Sequence, residues 1–416
     1  MLPAGEPVPT DGRLPRAALR AVGAGGFGVY VHVPFCASRC GYCDFNTYTA
    51  AEGVLSDGYV DTLLAEFALA GKVLAEARPP RVSTVFVGGG TPTLLGSGEL
   101  ARILEGVDAT WGLTADVEVS TEANPETVEP AMLTALRRAG YTRISLGMQS
   151  VAPHVLAVLD RRHTPGRAAL AAAQARDAGF DHVNLDLIYG TPGESADDFA
   201  ASLDAVLAAG VDHVSAYALI VEEGTRLAAR IGRGELAHPD DDVAADRYLA
   251  AEAALTAAGF GWYEVSNWAR TGAADHAVGR PGDFVAGARC RHNLLYWTGG
   301  DWWGFGPGAH SHVGGVRWWN VKHPAAYAAR LAQRHSPAQA RELLSPAERH
   351  TEEVMLGLRL ADGVALTTLD DAGRAAAGGV LADGLLDPGP YAAGRAVLTL
   401  RGRLLADAVV RDLLGP

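Results

Sequence analysis

The sequence has 416 residues, 48% of them hydrophobic and 20% charged, an ordinary globular mixture that excludes global disorder. Its 35 Lys and Arg against 48 Asp and Glu leave a net charge of −13, which disfavours a basic, nucleic-acid-coating protein. It contains no run of ~18 apolar residues free of charge, so no direct membrane anchor is expected.

At ~100–200 residues per domain, the length implies two or three domains, or one large α/β barrel with an appendage. Glu6, Asp11 and Pro3, Pro7, Pro9 and Pro15 stand where a signal peptide needs its apolar run, so a cytoplasmic protein is expected. Residues 1–25, rich in Pro, Gly and Ala, read as a loose arm.

Phe27–Val33 has a strand pattern and ends at Pro34. A helix is predicted over 57–77, then a β-branched run Val82–Val87 closed by Gly88-Gly-Gly-Thr-Pro92. Helices near 97–108, 129–139, 165–179 and 195–209 alternate with strands Asp116–Thr121, Arg143–Met148, Val183–Ile188 and His213–Leu219. This alternation predicts parallel βαβ units, so the fold class is α/β, a full or partial (β/α) barrel over 26–235. In such barrels the active site forms at the C-terminal strand ends, where the polar and glycine-rich motifs fall.

After Pro239 the rhythm changes. A helix near 243–259 and a strand Trp262–Val265 lead into a loop-rich stretch, 267–320, with six of the eight Trp. We take 236–320 as a loop-rich extension and 321–416 as a smaller, mostly helical domain.

Four cysteines in this length are no disulfide framework. Cys36, Cys40 and Cys43 fall within eight positions, and Cys290 stands alone. In a reducing compartment such crowding points to metal or redox chemistry. Three thiolates on one loop suit a cubane iron–sulfur cluster with one open iron. A Cys3His zinc site using His32 or another histidine, or plain reduced thiols, are the other readings.

The segment Tyr30-Val-His32-Val-Pro-Phe-Cys36-x3-Cys40-x-Tyr-Cys43-Asp-Phe45 resembles the radical S-adenosylmethionine (SAM) superfamily, and within it the oxygen-independent coproporphyrinogen III oxidase-like group. The likeness continues through Gly88–Thr93, Glu122-Ala-Asn-Pro125, Arg143–Ser150, Asn184–Pro192, Tyr263–Trp268 and Gly304–Ser311, and covers about 27–412. It implies a partial (β/α) barrel with a C-terminal domain and a [4Fe–4S] cluster on Cys36, Cys40 and Cys43.

The resemblance also implies a SAM site. Gly88, Gly89 and Gly90, with Thr91, would bring backbone close to the SAM amino group, or simply form a strand-exit turn. Glu122 and Asp186 match SAM-binding positions, although a lone strand-end acid is as often a helix cap. Gln149 would bond the ribose or nearby backbone, and Arg161, with Arg162 beside it, the SAM carboxylate. Tyr30 and Phe45 would flank cluster and SAM, or pack in the core.

Cys290-Arg-His292-Asn-Leu-Leu-Tyr296-Trp297 resembles the signature of the heme-chaperone branch of the group. His292 is then the expected heme ligand, since imidazole is a common axial ligand of heme iron and aromatics pack on a porphyrin; structurally it could be only a hydrogen-bond donor. Cys290 reads as a thiolate or, more simply, a buried small hydrophobe. The Trp302-Trp303 and Trp318-Trp319 pairs could line the same cavity or close a domain interface.

The porphyrinogen oxidases of the group carry a fourth cysteine two residues after the third, where this sequence has Phe45, and a longer N-terminal arm. The resemblance therefore implies a heme chaperone that binds heme, the cluster and SAM and delivers heme to apo-hemoproteins, those of the respiratory chain first. The alternatives are an oxygen-independent coproporphyrinogen III oxidase or another radical SAM oxidoreductase, and a zinc-stabilised interaction protein.

Overall fold

The computed structural model describes residues 5–23, 25–52, 57–77, 81–161, 164–271 and 287–415. In chain order the first half reads β1 Phe27–Val33, α1 Tyr59–Leu74, β2 Val82–Gly89, α2 Gly96–Trp111, β3 Leu113–Ala123, α3 Pro130–Ala139, β4 Arg143–Gln149, α4 Arg167–Asp177, β5 His182–Tyr189, α5 Ala196–Ala208 and β6 His213–Ala218. β1 to β6 lie side by side in that order, all parallel. β1, β4 and β5 are buried along nearly their whole length, as strands covered on both faces must be, while the start of β3 is partly exposed. Helices cover one face: Leu63 and Phe67 of α1 and Leu100 and Ile103 of α2 are buried in the main core. Each such side chain contributes about 2 kcal/mol.

The sheet then grows at both edges. α6 Asp241–Ala257 leads to β7 Phe260–Glu264 and β8 Asn267–Arg270, and β8 joins β6 antiparallel. α7 Arg291–Trp297 precedes β9 Asp301–Phe305, which pairs parallel to β1. β10 His310–Val313, β11 Val316–Asn320 and, after α8 Pro324–Ala332, β12 Ala338–Leu343 add on antiparallel. The order is β12-β11-β10-β9-β1-β2-β3-β4-β5-β6-β8-β7, one twelve-stranded sheet among the described residues. Its end strands do not pair with each other, so the barrel is partial.

Two local expectations differ from the structure. The stretch 267–320 is not loop-rich among its described residues, since it holds four strands and a helix. Its short Trp-rich strands are stabilised by partners far along the chain, a signal that local periodicity lacks. The arm at 1–25 is also not loose where described: Leu14 and Ala18 are buried in the main core, and Glu6 and Thr10 hydrogen-bond the backbone at Arg341 and Ser336.

The sheet crosses position 321 and runs to Leu343. A second hydrophobic core, from Val354 to Leu413, is built by α9 Pro346–Gly357, α10 Asp371–Ala382 and α11 Ala406–Leu414. It meets the sheet edge where the Ala361 amide bonds the Tyr263 carbonyl and the Arg403 guanidinium lies 3.8 Å from the Trp262 ring centre.

Candidate functional site

The parallel register brings the strand ends to one level. His32 of β1 lies opposite Gly88 of β2, Glu122 of β3 opposite Ser145 of β4, and Gly147 of β4 opposite Asp186 of β5. Motifs up to 154 positions apart, from His32 to Asp186, thereby share one rim.

The loop after β1 carries Cys36, Cys40 and Cys43, all half-buried and unlinked. Burial, with the Cys43 charge beside it, pushes the Cys36 thiol up to about 11, and burial raises Cys43 as well. Partly desolvated thiols whose thiolates repel one another are costly to ionise alone, a cost that ligation to iron would offset. His32 is no fourth zinc ligand. Its Nε2 donates to the Asn46 carbonyl at 2.9 Å, and its Nδ1 accepts from the Tyr30 hydroxyl at 3.0 Å.

The glycine loop braces this cysteine loop. The Gly90 amide donates to the Val33 carbonyl at 2.8 Å and the Thr91 amide to the Phe35 carbonyl at 2.7 Å. A Cβ at Gly90 would lie 2.4 Å from the Phe35 carbonyl oxygen and 3.0 Å from Cys36 Sγ, so only glycine fits. The Thr91 hydroxyl bonds the Cys36 thiol, which places it with the cluster loop.

Beyond the loop lie two buried carboxylates. Glu122 Oε2 accepts the Gly89 amide at 2.9 Å, yet burial, reinforced by the Asp186 charge, pushes its pKa up to about 7. Asp186 is raised by burial, against hydrogen bonds from Ser145 Oγ at 3.0 Å and Asn184 Nδ2 at 2.6 Å. Arg161 lies between Asp186 and the cysteines: Nη1 reaches Cys40 Sγ at 3.4 Å and Nη2 the Gly147 carbonyl at 2.6 Å. Arg162 is outside the described residues. Gln149 ends β4 with φ 69, a left-handed conformation unfavourable for a side-chain-bearing residue, and its buried Oε1 has no partner among the described residues. Tyr30 feels the Glu122 charge from the opposite wall.

Cys36, Gly90, Gly89, Glu122, Asp186, Arg161 and Cys40 thus close a ring. Within it, among the described residues, Glu122 faces no cation and Gln149 Oε1 no donor. That deficit fits SAM, which brings an ammonium, a sulfonium and hydroxyl groups, and the three thiols fit an iron–sulfur cluster.

A cavity of about 600 Å³ opens from Gly89 and Glu122, past Tyr30 and Tyr296, to Phe45, Trp302 and His312, with Met355 and Leu356 of α9 in its wall. Phe45 is 59% exposed at this mouth and not packed in the core. The Trp pairs split. Trp303 and Trp318 meet edge-on in the main core, Trp302 faces the cavity, and Trp319 stacks on His310.

His292, the expected heme ligand, is enclosed in this structure. The ring is 1% exposed, with Nδ1 2.9 Å from Thr84 Oγ1 and Nε2 2.8 Å from the Tyr296 hydroxyl. Burial pushes its pKa down to about 4. Both ring nitrogens thus lie against hydroxyl groups. Cys290 is a buried thiol donating to Glu118, pushed up to about 12 by burial.

Sequence reasoning missed the residues that support this wall. Glu118 pairs with buried Arg143 at 3.3 Å and accepts the Arg291 and His292 amides, fixing the start of α7. Glu66 of α1 bonds the Gly306 amide, Asn320 and Tyr327, anchoring the loop before β10. Asn184, His213 and Tyr263 form a buried chain behind Asp186. Arg143, Asn184 and Tyr263 stand in the quoted motifs, but only their type was visible there.

Residues 30–206 match the family model described as the radical SAM superfamily. The fold is shared with coproporphyrinogen III oxidase (HemN) from Escherichia coli, at a TM-score of 0.80 and 23% identity, covering 95% of this chain and 92% of that one. Fold and cysteine loop together define a radical SAM protein. The sequence is 59% identical over 391 residues to the heme chaperone HemW of Mycobacterium tuberculosis, covering 94% of this chain and 95% of that one. It is 32% identical over 336 residues to the Bacillus subtilis protein of the same name, covering 80% and 84%. The chain belongs to the HemW family.

Proposed function

We propose that this protein is a heme chaperone: it holds a [4Fe–4S] cluster and SAM at the barrel rim, carries heme and delivers it to apo-hemoproteins in the cytoplasm. One observation carries the reading. The radical SAM match ends at 206, whereas the 59% identity to a protein named as a heme chaperone spans 391 residues, so the likeness includes the half that lies outside that match.

Cys36, Cys40 and Cys43 would hold the cluster, with Thr91 and Arg161 orienting the first two thiolates. When bound, the cluster supplies an open iron for the amino and carboxylate groups of SAM. Glu122 and Asp186 would take the cationic and hydroxyl groups of SAM, Gln149 Oε1 a donor, and Arg161 the carboxylate. Phe45 puts an apolar ring, not a thiol, at the cavity mouth, which supports carriage over porphyrinogen decarboxylation.

A single anaerobically reconstituted preparation tests this by heme titration and by a coproporphyrinogen III assay with SAM and reductant. Saturable heme binding with unchanged porphyrinogen is expected. Catalytic decarboxylation would make the protein an oxidase.

A further inference from the structure

The outer half of the cavity has parts that the cluster and SAM do not use. His310 and His312 alternate on β10, so they share one face, and both line the cavity. They differ in what holds them. His312 Nδ1 lies 2.9 Å from the Gly300 carbonyl, which can only accept, so Nδ1 carries the proton and Nε2 keeps its lone pair. An imidazole tied in this way has a fixed tautomer and a fixed plane, the condition in which histidine ligates metals best. The His310 ring has no hydrogen-bond partner among the described residues and lies on Trp319.

His312 is also connected to the buried motif histidine. His292 Nε2 meets the Tyr296 hydroxyl, the Tyr296 ring meets Trp302 edge-on at 4.6 Å, and Trp302 meets the His312 ring at 5.2 Å. At the rim, the Lys322 carbonyl is held by Asn46 and Tyr48, while its ammonium has no ion-pair partner among the described residues. The nearby Arg317 is already paired with Glu342 and Glu352.

We propose that this outer half seats the heme, with His312 Nε2 as the ligand to iron, Phe45, Trp302 and Met355 as apolar walls, and Lys322 as the partner of a propionate. His292 is then a positioning residue that acts through Tyr296 and Trp302. The cavity as a whole, shared with the SAM end at Gly89 and Glu122, has the size of a cofactor-binding site. The inference rests on the heme-carrying reading above and names its site.

The test is a hemin titration of the reconstituted full-length protein, followed by the Soret band. The parent should give a saturable shift. His312→Ala should bind at least about tenfold more weakly with a displaced band, and added imidazole should restore the parent band. His310→Ala should stay within about twofold of the parent. His292→Ala should weaken binding without changing the ligand signature, and His292→Gln, whose amide can still meet Tyr296, should recover affinity. Lys322→Glu, an exposed change that leaves the fold alone, should weaken binding severalfold. If His312→Ala titrates like the parent, or if His310→Ala or His292→Ala removes the imidazole signature, the site is overturned although heme binding stands. If the parent shows no saturable band, the heme-carrying reading itself fails.

Discussion

Glu122 Oε2 accepts the Gly89 amide at 2.9 Å, and this bond joins the glycine loop to a carboxylate that no described cation neutralises. Its pKa is about 7 in the folded chain against an ordinary value of 4.5. The folded state therefore binds more protons than the unfolded one between those values. The stability from the neutral carboxyl is full below pH 4.5 and is lost as pH rises through about 7. A cationic ligand needs the ionised form, so SAM affinity should rise through the same window. Glu122→Gln should bind SAM at least about tenfold more weakly at pH 8 and be more stable than the parent without ligand. Calorimetric titration across pH 6–8 reads the first effect (roughly one unit either side of the carboxyl midpoint), and thermal unfolding reads the second. A flat pH profile would remove Glu122 from the SAM site.

Neighbouring glycines should fail differently. A Cβ at Gly88 would press Glu122 Oε2 at 2.9 Å, whereas one at Gly90 meets the Phe35 carbonyl and Cys36 Sγ. Gly88→Ala should thus weaken SAM binding with the cluster intact, and Gly90→Ala should lower cluster occupancy. Gly89→Val is the poorer probe, because φ 112 and the His32 ring at 2.7 Å would strain the backbone whatever the ligand does. Iron content and SAM affinity on each variant distinguish the two; identical losses would reduce the loop to a turn.

Cluster assembly should release protons. The Cys36 thiol sits at about 11 and must ionise to ligate iron, so anaerobic reconstitution should run faster at pH 8.5 (roughly 1.5 units above neutral) than at pH 7. About four irons and four sulfides per chain are expected, and Ala at Cys36, Cys40 and Cys43 should abolish the cluster absorbance. Stoichiometric zinc without labile sulfide would contradict this.

The Arg143–Glu118 pair is buried on both sides and tethers the start of α7. Removing one member strands the other, so Glu118→Ala should cost about 3–5 kcal/mol in urea unfolding. Because α7 carries Tyr296, the surviving folded protein should also bind heme more weakly. Unchanged stability would mean that the pair is open to water.

Much of the parallel sheet was legible in the sequence because strands buried on both faces are rich in apolar and β-branched residues, and β1, β2 and β5 run into Pro34, Gly90 and Gly190. The cysteine triplet and the acids at strand ends were legible by type and spacing. The enclosure of His292 was only half legible: Tyr296 stands four positions on in the same motif, but Thr84 lies 208 positions away, which no local pattern shows. β9 escaped for a similar reason, since its partner β1 lies some 270 residues earlier. His312 carries no motif signal, and only the Gly300 carbonyl shows what its ring can do.

The central claim is delivery. The reconstituted protein, loaded with heme, should be mixed with an apo-hemoprotein and the appearance of the holo spectrum timed against free hemin at equal concentration. The account predicts faster transfer from the protein, with heme returned intact and porphyrinogen untouched. Transfer no faster than from free hemin, or heme retained without release, would contradict it.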